Sequence, residues 1–534
     1  MSGSGMGVVL AALAAALVPL LWAALVRQVW RPYAVARAFA RQGVRGPPYR
    51  FYVGNNREAR AMMAAAAASG EALEWSSNDI VHRVMPHVRA WASLYGKVFV
   101  SWTGSTPRLW VGDLDMAKRI LSDKAGLYVN PSLGAALMAL LGQGLVFTEG
   151  DDWARHRRVV HPAFAMDRLK SMTGAMAACA AEVVRDWEAR AGAAASASGE
   201  VTVEVGQRFT ELTADVISHT AFGSSYRQGK EVFLAQRELQ LMVFASMNNV
   251  VVRVPGMDHV PTKANLRRWQ LERTVRGTLM AIIDERLASA KESKGYGNDL
   301  LGLMLEANAA GDDGKTQEAM SMDEIIDECK TFFFAGHDTT AHLLTWAMFL
   351  LGTHHEWQQR LREEVLRECG GAEVPLDGDA LNKLKLVTMV LYETLRLYGP
   401  VNIINRQATA DVDLCGIKVP KGTHLAIPFP MLHRDEEVWG SDAGEFDPLR
   451  FRDGVGRAAA HPNALLAFSL GQRSCIGKDF AMLEAKVTLA LILRRFAFEV
   501  APEYVHAPAA FLTVQPSKGL PVVLRLLDPH TLAS

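Results

Sequence analysis

Cysteine is scarce in this chain. There are five in 534 residues, Cys179, Cys329, Cys369, Cys415 and Cys475, with no Cys-x-x-Cys pair among them. That scatter excludes a zinc ribbon and a disulfide framework, and the odd count fits reduced thiols facing the cytosol. Excess charge is absent too. Lys+Arg and Asp+Glu each number 57, a formal net charge of zero, so nothing in the balance points to nucleic acid as a partner. A dinucleotide fingerprint is also missing. Gly295-Tyr-Gly297 supplies two glycines, but Leu300 stands where the third should be and no strand leads in. With no nicotinamide or flavin site visible, any reducing electrons must come from a partner.

Basic residues are lacking ahead of the apolar run Met6–Val26, whereas Arg27, Arg31 and Arg37 follow it. Its 21 uncharged residues suffice to cross a hydrocarbon core of ~30 Å, and Pro19 within it is tolerable in lipid. The one-sided charge predicts a lumenal N-terminus and a cytosolic body. Without a basic n-region, the run reads as an uncleaved anchor over residues 1–31 and not as a cleaved signal peptide. Gly46-Pro47-Pro48 reads as a stiff, non-helical hinge within 32–50, ahead of a body spanning 51–534.

Against these absences, 49% of the residues are hydrophobic, enough for a large core. The most informative stretch runs Phe468-Ser-Leu-Gly471-Gln-Arg473-Ser-Cys475-Ile-Gly477, and an apolar, helix-like run from Ile476 to Phe496 follows. Glycines allow tight turns and close approach to a flat group. A cysteine before a helix has its thiolate favoured by unpaired N–H groups and the helix dipole, as a sulfur ligand to a metal requires. Arg473 is placed to meet an anionic group on the same cofactor. A lone cysteine is more often a buried core residue, so the whole pattern must carry the argument.

Phe-x-x-Gly-x-Arg-x-Cys-x-Gly resembles the haem-binding signature of the cytochrome P-450 family, the haem-thiolate monooxygenases, with every fixed position filled. The resemblance implies a mostly α-helical domain with small β-sheets behind one N-terminal transmembrane helix. It implies haem b with Cys475 as the axial thiolate, which pushes electron density onto iron to favour O–O cleavage. Phe468, Gly471, Arg473 and Gly477 would complete the cofactor-binding loop.

Other landmarks follow in the family's order. Val98–Val111 alternates as a β-hairpin around Thr-Gly-Ser-Thr-Pro. Asp113–Ser122 is a short helix, and the glycine-punctuated Gly126–Gly150 a flexible loop that in the family caps the substrate pocket. Trp153 and Arg157 share a helix face; their types suit carboxylate oxygens, and the resemblance makes them a haem-propionate contact. Ala191–Gly199 is a low-complexity surface connection.

A capping box, Ser321-Met-Asp-Glu324, opens a helix predicted to run to about Leu351. Ala335-Gly336-His337-Asp338-Thr339-Thr340 lies in its middle, where a glycine costs about 1 kcal/mol against alanine. Such a local conflict suggests function. The segment matches the family's oxygen-activation motif, in which Gly336 would leave room over the haem and the catalytic pair Asp338–Thr339 would deliver protons to dioxygen. Apart from His337, to which no role is assigned, Asp338 is the titratable side chain beside Thr339 in an otherwise apolar neighbourhood. Glu393 and Arg396 sit at i, i+3 on Val387–Arg396. The family joins such a pair to the arginine of a Pro-x-Arg-Phe segment, here Arg450 in Pro448–Phe451, as a structural clamp. Arg406 fits a strand arginine that meets a propionate. Tyr398–Asn405 and Phe511–Thr513 would form pocket walls.

Within the family the resemblance is greatest to a plant microsomal clan that includes cytokinin hydroxylases, gibberellin and brassinosteroid oxidases and fatty-acid hydroxylases. It implies an endoplasmic-reticulum monooxygenase that uses O2 and an NADPH-cytochrome reductase on a small lipophilic substrate, in contact with membrane lipid. A reductase-independent haem-thiolate isomerase or dehydratase and a non-catalytic haem protein are the alternatives; the Asp338–Thr339 pair argues against both.

Overall fold

A computed structural model describes residues 15, 18, 19, 21–68, 72–132, 134–194, 200–223, 226–247, 256–312, 319–371 and 374–527. Most of the predicted anchor Met6–Val26 lies outside them. Among the described residues no helix is long and apolar enough to cross a membrane. The chain is mostly helical with small sheets, in two compact units: residues 1–69, 85–131 and 403–431 form the smaller, and the rest the larger.

The smaller unit is built on a five-stranded sheet in the order Val98–Thr103, Thr106–Val111, His424–Pro428, Ile403–Ala408, Tyr128–Val129. Thr103 pairs with Thr106, so the hairpin turns on Gly104 and Ser105 alone. The expected hinge differs from its prediction. Arg31–Ala40 is an α-helix with Pro32 in its first turn, a position that suits proline, and it buries Val35 and Phe39. Gly46 lies against the sheet so closely that a Cβ would stand 1.7 Å from the Val100 carbonyl oxygen. Gly46-Pro47-Pro48 is therefore docked chain within this unit. The Gly126–Gly150 segment is also more ordered than predicted: it contains Tyr128–Val129 and a helix, Ala135–Leu141, that buries Ala139 and Leu140.

The larger unit is organised around the helix Met322–Thr353. Its predicted capping box is formed: Ser321 Oγ accepts from the Glu324 N–H at 3.3 Å, and Glu324 accepts from the Ser321 N–H at 2.7 Å. The helix is buried along most of its length because Val205–Phe222, Lys385–Tyr398 and Lys478–Arg495 pack around it. A three-stranded sheet, Glu200–Glu204, Pro521–Leu526 and Phe496–Val500, closes one side. The low-complexity connection ends the helix Met166–Ala194, with 195–199 outside the described residues.

Candidate active site

Cys475 lies in a turn two residues before the N-cap, Gly477, of Lys478–Arg495. The loop doubles back through left-handed backbone at Ser469 (φ +60°) and Gly471 (φ +72°), so that the Phe468 carbonyl accepts the Cys475 N–H at 2.9 Å. The side chain is exposed, yet protein crowds it on most sides. That crowding pushes the thiol up, against the opposing pull of the Gly477 N–H and the Arg157 guanidinium. A Cβ on Gly477 would stand 4.0 Å from both Cys475 Sγ and the Phe164 ring. Phe164 in turn stacks on Phe332 of the long helix, centroids 5.6 Å apart. Phe164 thus ties the cysteine loop to that helix, a residue the sequence did not single out.

Trp153 and Arg157 share the helix Gly150–Val160. Arg157 donates to the Ser474 carbonyl at 3.2 Å, and no carboxylate meets it among the described residues. Burial lowers its pKa, against the opposing pull of Cys475. Arg473 is differently occupied. It pairs with Glu149 at 2.7 Å, bonds the Thr148 carbonyl, and lies over the Trp153 ring at 5.0 Å. Here Arg473 ties down the start of the Gly150–Val160 helix and Trp153 is its platform.

Between Trp153 and Arg157 sits a network absent from the sequence reading. His156, fully buried, contacts Glu328 through Nδ1 at 2.6 Å and Glu324 through Nε2 at 3.3 Å. Burial works against the imidazolium, but the two carboxylates outweigh it and the pKa is raised. Arg155 adds a bond to Glu324 at 2.5 Å. Burial would raise the Glu324 carboxyl, yet bonds from Arg155, Ser321 and His156 bring it down to about 2. These ions lock the arginine-bearing helix onto the first turns of Met322–Thr353.

On the long helix, Thr339 Oγ1 donates to the Ala335 carbonyl at 2.8 Å. Asp338 is buried and accepts from Thr513 Oγ1 at 2.7 Å. His342 Nδ1 donates to the Asp338 carbonyl at 2.6 Å, lies 3.3 Å from Thr513 Oγ1, and stands 3.7 Å from Asp338 Oδ2. The neighbourhood is polar on this side, contrary to expectation. Asp338, His342 and Thr345 line a cavity of about 250 Å³ that reaches exposed Glu204, Gln207 and Arg237. His337 bonds the Phe333 carbonyl within its own helix, and burial lowers its pKa. Gly336 has a packing reason: its Cβ would come within 2.9 Å of Ile217 Cδ1 on the neighbouring helix.

Glu393, Arg396 and Arg450 lie together. Arg396 grips Glu393 with two bonds of 2.7 Å, and Arg450 Nε stands 3.5 Å from Glu393 Oε1. Arg406 belongs to the smaller unit, where it donates to Asn130 Oδ1 at 2.7 Å. Tyr398 is wholly buried and bonded, so the predicted pocket wall begins in core.

A thiol in a glycine-bounded turn, an arginine beside it that meets no carboxylate among the described residues, and a buried acid next to a threonine thus lie on one mostly helical fold. The comparisons agree. The family model Cytochrome P-450 matches residues 68–520, and the chain belongs to that family. It is 45% identical to cytochrome P-450 709B1 of Arabidopsis thaliana over 94% of this chain and 95% of the relative. It is 43% identical to cytochrome P-450 734A6 of Oryza sativa subsp. japonica over 93% and 92% of the two chains. It is also 39% identical to secologanin synthase 1 of Catharanthus roseus over 95% of each. The protein is thus a haem-thiolate monooxygenase, an oxidoreductase whose family binds haem through an axial cysteine thiolate.

Proposed function

We propose that Cys475 is the axial ligand and that the enzyme hydroxylates a small lipophilic plant metabolite. Fatty acids and hormones such as cytokinins or gibberellins are the substrate class, with electrons from an NADPH-dependent reductase. The observation that carries this is Arg157, held beside Cys475 with no carboxylate among the described residues to meet it. The residues fit a propionate-bearing haem, whose iron supplies dioxygen activation when bound.

The chain's own groups do the rest. Arg157 would hold a propionate. The Phe468 carbonyl and Gly477 N–H fix the sulfur. Asp338, held by Thr513, takes protons from water in the polar cavity and passes them toward Thr339. A threonine hydroxyl both accepts and donates, so Thr339 can accept a hydrogen bond from a water while its own hydrogen points at Ala335, and would relay a proton only by turning that hydrogen away from the carbonyl. Apolar Phe332, Phe334 and Val401 favour a lipophilic substrate. A product assay on fatty acids, cytokinins and gibberellins, run with and without reductase, tests the reading. Turnover that needs no reductase would overturn it.

Thr339→Ala should keep the thiolate spectrum and substrate binding while most reductant emerges as hydrogen peroxide. Loss of proton assistance of this kind costs ~10²–10⁴ in rate. Coupling equal to wild type would move proton delivery elsewhere.

The anchor is proposed to span the endoplasmic-reticulum membrane once through Met6–Val26, with the body in the cytosol. Tyr49 Oη donates to the Gln28 carbonyl at 2.6 Å and Arg31 to the Lys421 carbonyl at 2.7 Å, so a truncation should stop before Gln28. Deleting residues 1–26 should release much of the protein from microsomes with haem retained. External protease on sealed microsomes should digest the body of the full chain; protection would reverse the topology.

A further inference from the structure

We infer that a chain of oxidisable side chains, Trp346, Tyr398, Tyr504 and Trp75, carries oxidising equivalents from the haem pocket to the protein surface, sparing the cofactor when peroxide reacts without substrate. The inference rests on the reading above that haem lies between Cys475 and the Thr339 face of the long helix. Trp346 follows Thr339 by seven residues, close to two turns, and so shares its face ~10 Å along the axis. It is fully buried and stacks on Tyr398, with centroids 4.4 Å apart and planes at 21°. Tyr398 Oη lies 3.1 Å from His506 Nε2, and His506 Nδ1 lies 3.0 Å from Tyr504 Oη. The Tyr504 ring is 6.1 Å from Trp75, which is half-buried at the surface. Phe349, stacked on the imidazole at 4.4 Å and 11°, holds it in place.

Hydrogen accounting assigns the protons. Asn78 Nδ2 donates to the Gly444 carbonyl, so Asn78 Oδ1 is the acceptor for Tyr398 Oη at 2.9 Å. Tyr398 has then spent its hydrogen, and His506 Nε2–H must donate to it. His506 Nδ1 is left as an acceptor for the Tyr504 hydroxyl. Tyr504 is thus the phenol with a base in contact, and Tyr398 has only an amide. Three polar groups inside an aromatic core bring a desolvation cost that apolar rings of the same shape would avoid. Electron and proton transfer gives them a purpose that packing does not.

The balance is as follows. At the haem site hydrogen peroxide would take two electrons through this chain and two protons from solvent, which the oxidation of two ascorbate-class donors returns, to give two waters. Each electron leaves Tyr504 through Tyr398 and Trp346, and the Tyr504 proton shifts to His506 Nδ1. An external one-electron reductant of the ascorbate class then refills Tyr504 through Trp75, and the proton returns. Burial holds the His506 pKa at about 3, which favours that return.

The test adds hydrogen peroxide to full-length, haem-loaded protein without substrate. The readouts are rapid-freeze electron paramagnetic resonance, peptide mass spectrometry of Trp75 and the rate of haem bleaching. Wild type should show a tyrosyl radical and oxidised Trp75, both suppressed by ascorbate. Tyr504→Phe should lose the radical and the Trp75 oxidation and bleach several-fold faster. Trp75→Phe, a surface change that removes no buried polar contact, should abolish protection by ascorbate. Equal bleaching in wild type and Trp75→Phe, with ascorbate equally protective, overturns the chain, as does an unchanged radical in Tyr504→Phe. Failure of the haem placement reads separately: Cys475→Ser would then keep the thiolate spectrum.

Discussion

Replacing Cys475 with serine should abolish both the red-shifted ferrous–CO band and turnover, while serine at Cys179, Cys329, Cys369 or Cys415 leaves both intact. The physical reason is access to the sulfur. Burial raises the Cys179, Cys329 and Cys369 thiols, as crowding raises Cys475, but those three are buried. Cys415 sits exposed in the turn between Val412–Leu414 and Ile417–Val419 of the smaller unit. Cys475 alone combines exposure with an N–H donor from Gly477 and a guanidinium at hand, and metal binding removes a coordinating thiol's proton outright. Serine keeps the size but not an ionisable sulfur, so the loss should be complete and not graded. A ferrous–CO difference spectrum on folded variants decides it: a lost band in any of the other four would move the ligand.

Local features were legible in the sequence. The capping box at Ser321 and Glu324 and the Glu393–Arg396 pair depend on residues three apart, and helical geometry alone brings them together. The helix at Leu114–Leu121 opens on Asp113 for the same reason, its carboxylate accepting the Met116 N–H. Partners set by long-range packing were not legible. Thr513 reaches Asp338 across 175 positions, and no local pattern encodes that. Glu149 meets Arg473 from the far side of the chain, a partner that no neighbouring residue announces. Some signals were present and unused. His342 stands four residues after Asp338, on the same helix face, and Glu324 and Glu328 stand four apart, spaced to hold one buried imidazole. Pro32 at a helix start likewise marked Arg31–Ala40 as helical in a segment predicted to be a hinge.

The other large effect is expected at Glu393, which should be needed for haem to be held at all. Both partners of the Glu393–Arg396 pair are fully buried, and Arg450 is nearly so. Arg396 also binds the carbonyls of His433 at 2.8 Å, Ala443 at 2.5 Å and Glu445 at 2.9 Å. Glu393 therefore orients the guanidinium that gathers this whole stretch of chain. The effect reaches the cysteine in steps. His433, kept neutral by burial, accepts the Leu466 N–H at 2.9 Å, and two residues on the Phe468 carbonyl holds the Cys475 N–H. Glu393→Ala strands a buried positive charge, a loss of about 3–5 kcal/mol out of the ~5–15 kcal/mol that stabilises a typical domain. The variant should accumulate as haem-free or misfolded protein. Glu393→Gln keeps the shape and one acceptor oxygen, so it should retain more haem than alanine but less than wild type. Haem content per folded protein, read by absorbance ratio after circular dichroism, ranks the three. An alanine variant with full haem loading would show that the loop needs no clamp and that the pair merely fills the core.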